Sequence, residues 1–128
     1  MRKIILMGLA VMMLAGCATP HPVRNVNDEP VVAPAGRVVS LDEVGKAILR
    51  AGGTLGWQMK QVEPGYILGT LKLRSHVAIV DIRYTTKNYS ITYKDSTNLD
   101  YDGTNIHRNY NGWIANLDRA IKAQLVNL

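Results

Sequence analysis

The chain has 128 residues, with 15 Lys and Arg against 10 Asp and Glu, for a formal net charge of +5. That length supports one small hydrophobic core and excludes two, and so mild a surplus falls short of what nucleic-acid binding calls for. A lone cysteine excludes an internal disulfide and a thiolate metal cluster, so stability has to come from packing.

Arg2-Lys3 is followed by an apolar run from Ile4 to Met13, which is too short to span a bilayer as a helix and reads as the core of a cleavable signal. Leu14-Ala15-Gly16-Cys17 comes next, where two small residues let the backbone enter a peptidase cleft immediately before a thiol. These four residues resemble the lipobox of bacterial lipoproteins. The resemblance implies that residues 1–16 are removed, that a diacylglyceryl group is attached to Cys17, and that the new amino terminus is acylated, with palmitate among the chains. Two or more chains hold a protein at a membrane stably where one is marginal. Loss of Arg2 and Lys3 leaves +3. Ala18 rather than Asp after the cysteine implies, in enteric-type bacteria, a periplasm-facing place on the outer membrane. A bacterial source also discounts the glycosylation pattern Asn88-Tyr89-Ser90.

Residues 17–38 hold Pro20, Pro22, Pro30 and Pro34 among polar and small residues, with no apolar period, and predict a tether between lipid and domain. As a coil it averages roughly 25 Å end to end, and extended it approaches roughly 60 Å. The domain proper is expected over residues 39–128.

Ser40-Leu41-Asp42-Glu43 has capping-box spacing and predicts a helix from Leu41 to Ala51, with Leu41, Val44, Ile48 and Ala51 as its apolar stripe and Gly52-Gly53 as its stop. The period then becomes two. Strands are predicted over Gly56 to Val62, Tyr66 to Leu73, His76 to Tyr84 and from Tyr89 through Lys94, with Pro64-Gly65 and Thr85 to Asn88 as turns. Ile67, Leu71 and Leu73, then Ala78, Val80, Ile82 and Tyr84, are assigned to the core face, with Gly69 thinning it where a helix could approach.

Ser96 to Asn105 reads as a polar loop ending in a helix cap at Thr104 or Asn105. From Ile106 to Leu128 the residues Ile106, Tyr110, Trp113, Ile114, Leu117, Ile121, Leu125 and Leu128 share an arc of about 120°. At 1.5 Å per residue that helix is roughly 34 Å long, enough to cross a sheet. The predicted fold class is α+β: a four-stranded antiparallel meander with an N-terminal and a long C-terminal helix on one face, in the order α-β-β-β-β-α.

The stretches Asn98-Leu99-Asp100-Tyr101 and Ile106 to Leu117 resemble a segment of small envelope lipoproteins of Gram-negative bacteria. That likeness covers the last third of the chain and implies no activity. The order helix, meander, helix is similar to the repeat domains of the BamC lipoprotein of outer-membrane assembly, by architecture alone, and carries no residue role over.

Candidate chemistry is sparse. Asp100-x-Asp102-Gly103 matches a fragment of a calcium loop but lacks the third carboxylate and the bidentate glutamate, so the two acids are read as placed near a helix N-terminus. His107 is close to them in sequence, yet no nucleophile with a recognisable elbow accompanies it. No catalytic residue, metal or cofactor is expected. The sheet face away from the helices is expected to show Lys60, Lys72, Arg74, Arg83 and Lys94 around Leu68, Val77 and Ile79, against one acid, Asp81. The function expected is that of a non-catalytic binding or scaffolding module of the bacterial envelope, docking an envelope protein or an anionic envelope component on that face, in outer-membrane assembly or maintenance. The alternative is a periplasmic hydrolase or small-ligand protein using the Asp100 to His107 loop.

Overall fold

The structure is a computed structural model that describes residues 20–128; the lipobox, Cys17 and the signal segment lie outside the described residues. The elements in order are β1 (His21–Pro22), β2 (Val26–Pro30), α1 (Leu41–Thr54), β3 (Gln58–Glu63), β4 (Tyr66–Leu73), β5 (His76–Tyr84), β6 (Asn88–Thr97), β7 (Asn105–Ile106) and α2 (Arg108–Val126). The fold is α+β, with an antiparallel five-stranded sheet in the order β2-β6-β5-β4-β3 and a two-stranded ribbon of β1 with β7.

The meander β3-β4-β5-β6 follows from short links. Two residues, Pro64 and Gly65, join β3 to β4, with Gly65 at φ 87, a value that a side chain would resist. Arg74 and Ser75 join β4 to β5, with Arg74 itself at φ 57. Inward residues alternate as the period of two requires: Ile67 and Leu71, then Ala78, Val80, Ile82 and Tyr84, then Tyr89 and Ile91 are all buried. Leu73, expected with them, is 46% exposed because the core ends one pleat earlier. The space over Gly69 is taken by Val80, Trp57 and Met59, and Met59 in turn packs against Gly52 of α1, so the helix approaches there through that side chain.

The expectation of four strands with a helix first is corrected by the N-terminal segment. Residues 21–30, assigned to the tether, are folded into both sheets. Val26 pairs with Ile91 and Pro30 with Asn88, so β2 covers the edge that β6 would otherwise leave open. Its sequence, Val-Asn-Asp-Glu-Pro, has one buried side chain, a bulge, Asp28 at φ 48 and a terminal proline, all tolerated at a sheet edge. Side chains complete the attachment. The Asn25 carboxamide oxygen accepts from the Tyr93 amide at 2.9 Å, and the Ser90 hydroxyl accepts from the Asp28 amide at 2.9 Å. The Asn111 side chain accepts from the Arg24 amide and donates to the Pro22 carbonyl, each at 2.9 Å.

The α1 capping box forms as the spacing predicts: Ser40 Oγ accepts from the Glu43 amide while Glu43 reaches back to the Ser40 amide. The helix does not stop at Gly52-Gly53 but continues to Thr54, and Gly56 at φ 84 makes the reversal. Gly52 lies inside the helix because Met59 packs where its Cβ would be. α2 begins at Arg108, not Ile106, and its cap is His107 rather than Thr104 or Asn105: the His107 Nδ1 accepts from the Asn109 amide at 3.2 Å. Ile106 instead pairs with His21. Trp113, expected at the centre of the packed face, is only partly buried; Tyr110, Ile114, Leu117, Ile121 and Leu125 are the α2 residues in the core. Tyr84 reaches α1 at Gly45, and Tyr89 reaches α2 at Asp118, so both helices meet the sheet through its inward residues.

Candidate functional site

The outer sheet face is built by the pleat: Lys60 opposite Leu68, Lys72 opposite Val77, Leu68 opposite Asp81, Asp81 opposite Thr92. Leu68, Val77 and Ile79 are half-buried between them. The five cations assigned here are not equivalent. The Arg83 guanidinium stacks on the Tyr66 ring, 4.3 Å from its centroid. Lys94 is the extra residue of a bulge, and its Nζ is 3.6 Å from Asp81 Oδ1. Asp81 also accepts from the Tyr66 hydroxyl, a bond that raises the Tyr66 pKa more than any other cause. Arg74 occupies the β4–β5 turn and not the face. Lys60 and Lys72 are exposed and outside any ion pair among the described residues. The face is thus a central network of Tyr66, Asp81, Arg83 and Lys94 flanked by two open cations, beside the outer edge of β3, which pairs with no other strand among the described residues.

Asp100, Asp102 and His107 do not converge. The Asp102 carboxylate accepts from the amides of Asn105 at 2.7 Å and Thr104 at 2.9 Å, which hold its pKa below the usual carboxylate range. It therefore closes its own turn before β7 and not the first turn of α2. His107 is occupied as the α2 cap, and its amide donates to the Leu99 carbonyl. Asp100 lines an open polar cavity of about 390 Å³ with Tyr93, Asp95, Ser96, Asn98 and Tyr101. The Tyr93 and Tyr101 rings lie 4.0 Å apart there, and the Tyr93 hydroxyl bonds Ser96 at 2.7 Å.

One polar cluster escaped the reading of the sequence. Asp118 is buried on the apolar face of α2, accepts from the Tyr89 hydroxyl, and is joined by Lys122 at 3.2 Å, which continues to Glu29 at 2.8 Å. The signal was present: position 118 is four after Ile114 and three before Ile121, inside the apolar stripe. Burial first, and then the bond to Asp118, push the Tyr89 hydroxyl pKa up. The cluster ties β2, β6 and α2 together, with the tyrosine proton held between two structural elements.

No protein family, no curated protein and no solved structure matches this chain.

Proposed function

We propose that this chain is a lipid-anchored, periplasm-facing envelope lipoprotein that acts as a non-catalytic binding or scaffolding module on the outer membrane, in its assembly or maintenance. The lipobox supports the anchor. The observation that carries the binding role is the outer sheet face. Half-buried Leu68, Val77 and Ile79 supply apolar contact there, and Lys60 and Lys72 supply charge not spent inside the fold. A partner with an acidic or anionic surface complements it, with exposed charges steering the encounter more than they fix affinity.

Lys60→Glu with Lys72→Glu tests this reading, because neither side chain supports the core and the fold should persist by circular dichroism. Crosslinking in intact cells should recover partners with the wild type and lose them with the double variant, and capture should fall between low and physiological salt as screening shortens to about 8 Å. An unchanged set of partners from the folded variant would remove the face from consideration.

A second reading is favoured by the cavity at Tyr93 and Tyr101, whose ring, hydroxyl, amide and carboxylate lining suits a small hydroxyl-rich ligand. Shifts of the Asp95 to Tyr101 amide resonances on titration with mono- and oligosaccharides would support it, and their constancy would dismiss it.

A further inference from the structure

We infer that the end of the fold bearing β1, β7 and the β4–β5 turn is a lipid-facing surface, held flush against the bilayer by a leash of three residues. The inference rests on the proposed acylation of Cys17. Ala18, Thr19 and Pro20 are all that separate Cys17 from His21, the first residue of β1. Four extended steps reach about 14 Å at most. The headgroup layer of one leaflet alone takes roughly 5–7 Å of that. The body therefore hangs within about one Debye length of the lipid phosphates, against the tens of ångströms that a free tether to residue 38 would allow.

Hydrogen bonds identify which end is brought down. His21 pairs with Ile106, and the Val23 amide donates to the Thr104 carbonyl. The His107 amide donates to the Leu99 carbonyl, His76 Nδ1 is 2.7 Å from the Asn98 carbonyl, and the Asn98 side chain donates to the Ser75 hydroxyl at 2.9 Å. The rings of His76 and His107 are 6.2 Å apart. These links gather His21, His76, His107 and the exposed Arg24, Arg74 and Arg108 at the anchor end. The acids there are exposed as well: Asp95 and Asp100 lie together, and Asp102 is held ionised by its own turn amides. The surface presented to lipid thus carries three arginines for phosphate contacts among three acids, and the short leash rather than net charge sets its orientation. β6 and α2 rise away from it for roughly 30 Å. The outer sheet face then stands edge-on to the membrane, with Lys72 nearer the lipid than Lys60, and reaches partners at headgroup level.

The test uses the full lipidated protein in vesicles of phosphatidylethanolamine and phosphatidylglycerol. With Cys17 acylated, Thr104→Cys and Lys87→Cys each offer a single thiol for a fluorophore, one at the lipid end and one at the far end of β6. A nitroxide on the lipid headgroup should quench the Thr104→Cys probe several-fold more than the Lys87→Cys probe. Inserting about ten Gly and Ser residues between Pro20 and His21 adds roughly 17 Å of reach and should abolish that difference. Equal quenching at both sites, or a difference that survives the insertion, would overturn the inference. Flotation separates this from the anchor itself when the comparison protein starts at residue 17 with Cys17→Ser and so carries neither the apolar signal segment nor lipid: vesicle-bound wild type with that variant unbound confirms the anchor whatever the quenching shows, and that variant floating as the wild type does defeats the anchor reading.

Discussion

The Tyr89 hydroxyl donates to the carboxylate of Asp118 across the interface between β6 and α2, and Asp118 is the one charged residue buried in the core among the described residues. Tyr110, also fully buried, has a hydroxyl with no hydrogen-bond partner among the described residues. The same substitution should therefore act with opposite signs at the two positions. Tyr89→Phe leaves a buried carboxylate short of a donor and should cost about 1–3 kcal/mol. Tyr110→Phe removes an unsatisfied group at constant shape and should be neutral or stabilise by up to about 1 kcal/mol. Urea midpoints decide it, and a loss of stability in Tyr110→Phe would show that its hydroxyl has a partner in solution.

Alkaline pH should destabilise the fold from about pH 10 upward. Tyr66, Tyr89, Tyr93 and Tyr110 all have pKa values raised above the ordinary 10.0, Tyr89 and Tyr110 mainly through burial. The unfolded chain then loses phenolic protons that the folded chain keeps, so stability is intact below pH 10 and falls above it. Lys122 adds to the trend: its bond to Glu29, then that to Asp118, raises its pKa above 10.5, and the pair loses its attraction as the ammonium deprotonates. Both partners are partly exposed, so that share is no more than about 1 kcal/mol. Thermal melts from pH 8 to 11.5 should show the decline, and Tyr89→Phe should flatten it. A profile level through pH 11 would contradict the burial of these hydroxyls.

Removing residues 1–38, which the composition alone marks as dispensable, should damage the domain. The chain beginning at Val39 loses β2, the burial of Val26 and the cover over β6. Burial of one valine contributes about 1.5–3 kcal/mol, and the freed β6 edge invites association. Amide exchange in Asn88 to Tyr93 should accelerate, and sedimentation should show self-association. A monomer with the wild-type urea midpoint would mean that β2 docks without contributing.

That mistaken tether shows where reading the sequence stops working. The meander was readable because Ala78, Val80, Ile82 and Tyr84 alternate with half-exposed residues, and burial on one face writes itself into a period of two. β2 writes almost nothing, since backbone bonds and carboxamide side chains hold it and only Val26 is buried. The start of α2 was misplaced because Ile106 lies on the apolar arc by position yet is buried through β7. The basic face was readable as a set of residue types. It was not readable as a set of free charges, because the Tyr66 stack and the Asp81 bridge depend on strand register.

The anchor has its own outcome. Cys17→Ser exchanges a thiol for a hydroxyl, a far poorer nucleophile in the thiolate chemistry of acyl acceptance. Cells fed labelled palmitate should label the wild type and leave the variant as an unlabelled, uncleaved precursor. Absence of label from the wild type would refute the lipobox reading.

The paired glycines of α1 offer a test of helix packing at adjacent positions. Gly52-Gly53 resembles a helix stop, but both residues are helical, and what distinguishes them is their surroundings. A Cβ on Gly52 would lie about 2.5 Å from Met59 Cγ and Sδ, whereas a Cβ on Gly53 would meet nothing within 4 Å. Gly52→Ala forces the flexible, partly exposed Met59 side chain off its seat against Gly69 and should cost up to about 1 kcal/mol, at the low end of overpacking because a thioether can swing aside. Gly53→Ala removes backbone freedom from the unfolded chain with no clash and should stabilise by about 0.5 kcal/mol, less than a mid-helix site because it lies in the last turn. Met59→Ala combined with Gly52→Ala should recover part of the loss, since the added methyl then fills the space that the thioether leaves. If Gly52→Ala is as well tolerated as Gly53→Ala, α1 and β3 do not pack through that contact.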